Sequence, residues 1–387
     1  MEKPSKKINK KKIVFIVLIL LLIIATITIH TVYCMNESFR NWVDIKILQK
    51  EILQGSTPTI EINRENNSNI YAFDKYIVIL ENKALKIYNS SGEEKATITT
   101  DISNPIFDTA GKYLAVAEKD GESVYLLEEE KLLWSTTIEG KISEVEINEN
   151  GYVGVIISDI SYKNIINVYN TQGKNLLKTY VATNKVVDVS ISKNNQYLAI
   201  AEIDMSGVLI QSSIKVIDIV KAQNDPSNSI INTHVAKVDK LITNIEYQNK
   251  ERLLCMYNDS INIMEDNNDK QLTSLENHKI TFSSVELKNN IVLVEEEKEE
   301  EYSSSSHVKI TNISNNKTRK YNILEIAKEI HTYENVMALN LGTELHIINT
   351  NGWLMKKYIA SQEINKVIIS NKIVGIIYRD KIEIINL

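Results

Sequence analysis

The stretch "LKIYNSSG" at 85–92 alternates apolar Leu85 and Ile87 with Lys86 and then closes on Asn89 and Gly92, the pattern of a strand entering a turn. Near copies return as "INVYNTQG" at 166–173 and "LHIINTNG" at 345–352. Weaker copies, "VKITNISN" at 308–315 and "INIMEDNN" at 261–268, put Asn315 and Asn268 where the first has Gly92. Asn tolerates positive φ better than other non-glycine residues, so these copies predict the same turn. Three more, with altered turns, start at 124, 214 and 382.

A short, wholly apolar phrase precedes each copy: "YIVI" at 76, "YLAV" at 113, "YVGV" at 152, "YLAI" at 197, "LLCM" at 253, "IVLV" at 291, "VMAL" at 336 and "IVGI" at 373. Unbroken hydrophobicity fits a strand buried on both faces, whereas the alternating phrase after it fits one nearer the surface. A further strand often comes before, as in "ISEVEI" (142–147), "VVDVSI" (186–191), "ITNIEY" (242–247) and "INKVII" (364–369). Another follows the turn, as in "KATITT" (95–100) and "LLWSTTI" (132–138). The apolar phrases recur every 37 to 56 residues, close to the length of a propeller blade. Four antiparallel strands repeated eight times predict an all-β fold, a β-propeller of eight blades, with seven the alternative if the irregular fourth or sixth unit is misread. The last unit stops at Leu387 after its third strand, and "TPTIEIN" at 57–63 is a strand with no sheet of its own. Pairing the two is expected to close the ring and remove an exposed edge.

The N-terminal end is a different kind of chain. Residues 1–12 hold six lysines against one acid, and 13–29 reads "IVFIVLILLLIIATITI" without a charge. That predicts a cytoplasmic basic tail at 1–12, a transmembrane signal anchor at 13–33 and an extracytoplasmic body. "HTVYC" offers no small-residue cleavage site, so the anchor is expected to be retained. Spacing of Phe39, Trp42, Val43, Lys46 and Ile47 predicts an amphipathic stem helix within 34–55, before the propeller at 56–387. Without its tail the chain has 38 basic and 49 acidic residues, about −11. Such a body repels phosphate backbones, so nucleic acid is not an expected partner.

"LLWSTTIEGKISEVEINENGYVGVIIS" (132–158) resembles quinoprotein-like and WD40-like propeller repeats. With the lysine tail, the apolar anchor and "YIVILENKALKIYNSSG" (76–92), the layout is similar to an uncharacterised family, domain of unknown function 5711. The resemblance implies single-pass, membrane-anchored propellers of low-GC Gram-positive bacteria. Its motifs are structural and bring no catalytic residues.

Catalytic signatures are absent: there is no GxSxG, HExxH, CxxC, GxGxxG, phosphate loop or EF-hand pattern. Cys255 occupies the third slot of its apolar phrase, where other copies have Ala115, Gly154, Ala199, Ala338 and Gly375, which predicts a small buried thiol. His234, His278, His307, His331 and His346 are scattered without paired carboxylates, so neither a metal nor a cofactor is expected. Trp134 and Trp353 are expected to pack between blades, and "EDNND" (265–269) to form a solvated turn. The unusual connections between second and third strands are "SDISYKN" (158–164), "EIDMSGVLIQSS" (202–213) and "EEEKEEEYSSSSH" (295–307). They emerge on one face and are the candidate binding surface, with Tyr162, Asp204, Met205, Glu299 and Tyr302 as candidate contacts. The expected function is a non-enzymatic binding or scaffold module for a protein, peptide or cell-envelope component, with an enzyme or small-ligand sensor using the central channel as the alternative.

Overall fold

A computed structural model describes residues 10–35, 39, 43, 47–48, 52–53, 57–62, 69–265, 268–276, 279–300 and 303–387. The chain divides into two compact units, Met1–Leu53 and Gln54–Leu387. In the first, one helix spans Lys10–Met35. Among the described residues, no helix is long and apolar enough to cross a membrane. The stem expected within 34–55 falls largely outside the described residues.

The second unit is an eight-bladed propeller with four antiparallel strands per blade. Blades 1 to 8 begin with the strands Ile70–Phe73, Pro105–Ala110, Lys141–Ile147, Lys185–Ile191, Ile242–Tyr247, Ile280–Ser284, Glu329–Tyr333 and Lys366–Ile369. These are the inner strands, the first edge of each sheet. The apolar phrases form the second strands, from Tyr76–Glu81 in blade 1 to Ile373–Ile377 in blade 8. Leu114, Val153, Leu198, Leu254, Val292, Met337 and Val374 are fully buried there. Flanked on both sides by neighbouring sheets, such strands have no solvent face to make polar.

Packing between sheets fixes side-chain size at the third slot of that phrase. Ala115, Ala199, Cys255 and Ala338 are fully buried. A Cβ at Gly375 would stand 2.7 Å from Ile368 Cγ1 and 3.2 Å from Ile77 Cδ1, so a larger side chain would collide with a close-packed interior. Burial also pushes the Cys255 thiol well above its usual pKa, leaving it unreactive.

The recurring Asn-x-x-Gly turn has one geometry. Asn89 Oδ1 accepts from the N–H groups of Ser91 (3.0 Å) and Glu93 (2.9 Å). Asn170 does the same for Gln172 (3.0 Å) and Lys174 (2.9 Å), and Asn349 for Asn351 (2.9 Å) and Trp353 (3.2 Å). Gly92, Gly173 and Gly352 close these turns at φ 80°, 74° and 73°, in the region that favours glycine. The asparagine copies depart from this scheme. At the 308–315 copy the left-handed residue is Asn316 (φ 57°), one position late, and Asn268 lies inside the strand Asn268–Ser274.

Ring closure joins the two ends of the propeller sequence. Strand Thr59–Glu61 pairs antiparallel with Lys381–Asn386, placing Thr59 opposite Glu383, Ile60 opposite Ile382 and Glu61 opposite Lys381. Ile60 is buried in a cluster with Ile70, Ile77, Ile79, Ile382 and Ile384, between the last blade and the first. Ser370 Oγ donates to the Asp74 carbonyl oxygen, and Lys372 Nζ lies 2.5 Å from Asp74 Oδ1 across the same seam.

Two further expectations change. Residues 295–307 are not a loop: strands Asn290–Glu300 and Ser303–Asn312 extend through them as a hairpin, with Glu297 opposite Ser305. Trp353 is exposed rather than packed between blades, whereas Trp134 packs against Tyr169 of the next blade at 5.5 Å between rings.

Candidate functional site

In blades 3 to 6 the inner strand slips against its neighbour between Ile142 and Glu144, Val186 and Asp188, Ile242 and Asn244, and Ile280 and Phe282. In three of these bulges the hydroxyl of Ser143, Thr243 or Thr281 donates to the carbonyl oxygen of Ile156, Met256 or Val294 at 3.1 to 3.2 Å. A bulge re-aims the side chains beside it. The strands then alternate: Val145, Ile147, Ile245 and Tyr247 enter the core, while Glu146, Asn244 and Glu246 face the bore.

Seven of the inner strands, with Val285, Glu286 and Lys288 just past the end of blade 6's, wall a central cavity of about 400 Å³. Asp108, Glu146, Glu246 and Glu286 come to it from blades 2, 3, 5 and 6. Blades 1 and 2 contribute Tyr71 and Phe107, with ring centroids 3.7 Å apart, and Phe107 is 44% exposed within the bore. Lys193, Lys288, Lys366 and His331 are the cationic or titratable nitrogens in the wall. Lys193 is engaged by Glu149 at 2.7 Å, and His331 Nε2 lies 2.6 Å from Glu329 Oε1.

Several inner-strand carboxylates also stitch one blade to the next. Asp108 Oδ2 accepts from Ile147 N–H (2.7 Å). Asp188 Oδ2 accepts from Ile245 N–H (2.7 Å) and from Asn244 Nδ2 (2.9 Å). Glu329 Oε2 accepts from Val367 N–H (3.3 Å), and Glu286 Oε2 from the Thr332 hydroxyl (2.9 Å). Each bond runs from a blade to its successor.

Crowded acids in a confined bore resist ionisation. Desolvation, then repulsion from Glu286 and Glu144, pushes Asp108 up to about 7 despite the opposing N–H bonds. Asp188 is pushed up to about 8, chiefly by desolvation with Glu144 and Asp108 adding repulsion. Glu246 is likewise pushed up to about 8 by desolvation and by Asp108, Asp188 and Glu286, with Lys193 opposing. Glu146, Glu286 and Glu144 are raised for the same first reason. Glu286 is exposed by surface area because its side chain faces the bore, yet protein surrounds the bore on every side.

The sign of the resulting pH dependence follows from linkage. These acids hold protons in the folded state that an unfolded chain, with carboxyl pKa values of about 4, has already released. Their contribution is therefore most favourable at low pH and is lost as pH rises from about 4 through the folded values near 7 and 8. Glu246→Gln should raise the melting temperature more at pH 8.5 than at pH 5. An equal shift at both values would mean that Glu246 is not held protonated.

Strand direction separates this cavity from the connections read from the sequence. The wall includes Gly111, Glu149, Lys193, Gln248, Lys288 and Glu334, in or beside the turns between first and second strands, so the mouth opens on that face. Antiparallel alternation puts the connections between second and third strands on the opposite face. There Tyr162 stacks near Tyr180 (4.7 Å), Asp204 Oδ1 accepts from Ser206 N–H (2.9 Å) and Oγ (2.7 Å), and Met205 is exposed. Glu299 belongs to the long hairpin strand, and Tyr302 lies outside the described residues. Tyr162, Asp204 and Met205 are thus not among the residues that line the cavity. The acids gathered there carry a weaker signal in the sequence: Glu144 and Glu146 alternate in "ISEVEI", while "ITNIEY" holds Glu246 alone.

Histidine pairing also differs from expectation. His331 and His346 pair with Glu329 and Glu344 two residues earlier on the same strand face, and His234 Nε2 lies 3.6 Å from Asp269. Glu344 is held down at about 2 by His346 Nε2, 3.4 Å away, and by Lys357 Nζ at 2.7 Å. His278 lies outside the described residues. Among the described residues no group of three or more His, Cys, Asp or Glu is placed to hold a metal ion.

Among solved structures, the C-terminal WD40 domain of Sif2 is similar over 87% of this chain and 98% of that one, at 13% identity and TM-score 0.54. BamB from Moraxella catarrhalis aligns over 87% and 100% of the two chains at 10% identity and TM-score 0.48. At such identities the likeness is one of fold alone. No curated protein sequence matches the chain. Residues 55–387 match a family profile across the whole propeller, and the chain belongs to the Family of unknown function DUF5711.

Proposed function

We propose that the protein is a non-enzymatic binding module, anchored in the cytoplasmic membrane with its propeller outside, which takes a positively charged segment of a protein, peptide or cell-envelope component into the central channel. The observation that carries the ligand reading is the convergence of Asp108, Glu146, Glu246 and Glu286 on one 400 Å³ cavity beside the exposed ring of Phe107. A cation bound there would relieve repulsion among the acids, and an aromatic face adds attraction for an organic cation. The membrane reading is supported by sequence: the lysine block at 1–12 followed by the uncharged run 13–29.

One experiment tests both parts. Spermidine should bind the full-length protein, and a neutral polyether of similar length should not. Glu146→Gln with Glu246→Gln should weaken spermidine at least about tenfold, equivalent to ~1.4 kcal/mol. Affinity should rise from pH 6 to 8.5 as the acids ionise. Protease added to intact protoplasts should remove the propeller and the spermidine-binding capacity together. Unchanged affinity in the double variant would overturn the channel site, and protection from protease would overturn the orientation.

A further inference from the structure

Blade 7's inner strand ends at Tyr333 and blade 2's ends just before Gly111, both at the mouth of the bore. Blades 7 and 2 are three positions apart around the ring, with 8 and 1 between them. Yet the Tyr333 hydroxyl accepts a hydrogen bond from Gly111 N–H at 2.6 Å. The inner-strand bonds described above all join a blade to its immediate successor, whereas this one runs as a chord across the opening. We propose that Tyr333 is a gate on the channel, latched shut by its bond to Gly111 and opened by rotation of one side chain. The inference rests on the channel being the binding site and concerns how that site is entered.

The surroundings separate a fixed frame from a movable part. The turn after Tyr333 is pinned through its backbone: Lys288 N–H donates to Glu334 O at 2.7 Å, and Leu287 and Glu334 form a parallel bridge. The frame therefore stays while the phenol swings. At the donating end Gly111 has φ 56°, and a Cβ built there would meet no heavy atom within 4 Å. Open space beside the donor means that the hydrogen bond, rather than close packing around Gly111, defines the contact. A single neutral hydrogen bond is a weak lock, suited to repeated opening. The chord crosses the mouth at Gly111, three residues outward of Asp108 along the blade 2 strand.

Labelling of a buried cysteine reads the gate without reference to any ligand. In full-length protein carrying Cys34→Ser and Cys255→Ala, Thr109→Cys puts a thiol in the cavity wall, two residues inward of Gly111. A cationic methanethiosulfonate reagent should label it slowly with Tyr333 present. Tyr333→Phe, which keeps the ring and loses the latch, should speed labelling severalfold and up to about tenfold. Tyr333→Ala should speed it further. A control thiol from Asp204→Cys, on the opposite face, should react at one rate in all three backgrounds. Labelling at the same rate with Tyr333→Phe as with Tyr333 would overturn the gate. Spermidine titrated into the same proteins keeps the two ideas apart: accelerated labelling without spermidine binding sinks the ligand and leaves the gate, and binding with unmoved labelling does the reverse.

Discussion

Ile60→Asp should destabilise the propeller by about 3 to 5 kcal/mol, the scale on which an uncompensated buried charge acts. Ile60 is 3% exposed, and its neighbours Ile70, Ile77, Ile79, Ile382 and Ile384 offer no hydrogen-bond partner for a carboxylate. The harm extends beyond the local cluster, because Ile60 centres the strand Thr59–Glu61, which covers the edge of the last strand, Lys381–Asn386, that Ile373–Ile377 leaves open. A charge that expels this strand leaves the edge of blade 8 unpaired, a template for association with other chains. Equilibrium unfolding in denaturant measures the loss, and light scattering measures the association. Ile60→Val, which removes one methyl group from the same site, should cost about 0.5 to 1.5 kcal/mol and leave the protein monodisperse. If Ile60→Asp unfolds at the denaturant concentration of the parent, the strand contributes nothing to the ring and the closure argument fails.

Gly92→Ala should cost about 2 kcal/mol or more, from two additive sources. At φ 80° a Cβ forces a left-handed conformation that costs roughly 1–2 kcal/mol. That Cβ would also stand 2.7 Å from the Thr59 carbonyl oxygen, and backbone held in a strand pair cannot swing aside as a side chain can. Gly173 provides the comparison. It has a similar φ of 74°, but its added Cβ would meet Trp134 side-chain atoms at 3.0 and 3.3 Å, which can shift. Gly173→Ala should therefore be the milder change. Gly92→Asn should relieve the conformational part but not the collision. Thermal unfolding should place the parent above Gly173→Ala and Gly173→Ala above Gly92→Ala, and the reverse order of the two alanines would remove Thr59 from the explanation.

The fold was legible because its signal is local and repeated. "YLAV" and "YVGV" are apolar throughout, since the strands Tyr113–Glu118 and Val153–Ser158 are covered on both faces, and no nearby polar residue disguises them. The Asn-x-x-Gly turns were legible for the same reason, each written in four consecutive residues. Polarity misled at 295–307, where acids and serines suggested a loop. A hairpin needs backbone partners rather than an apolar face, and pairs such as Glu296 with Ser306 supply them. The bore was illegible for a different reason. Glu146 and Glu246 each read as the solvent face of one strand, and only the ring brings them to one cavity. Bulges after Ile142 and Ile242 then set the aim of those strands, and a one-residue slip has no sequence signature beyond the Ser143 and Thr243 hydroxyls.

Pairing of Thr59 with Glu383 also sets the order in which the molecule can be built during synthesis. Blades 1 to 7 each take four strands from one continuous stretch of chain, so each can form soon after its own residues leave the ribosome. The clasp cannot, because its first strand precedes blade 1 and its partner, Lys381–Asn386, follows every other strand of the ring. A nascent chain halted anywhere before Lys381 is therefore an open arc with Thr59–Glu61 unpaired, however complete its blades. Completion of the circle awaits the emergence of that strand, after all the other blades.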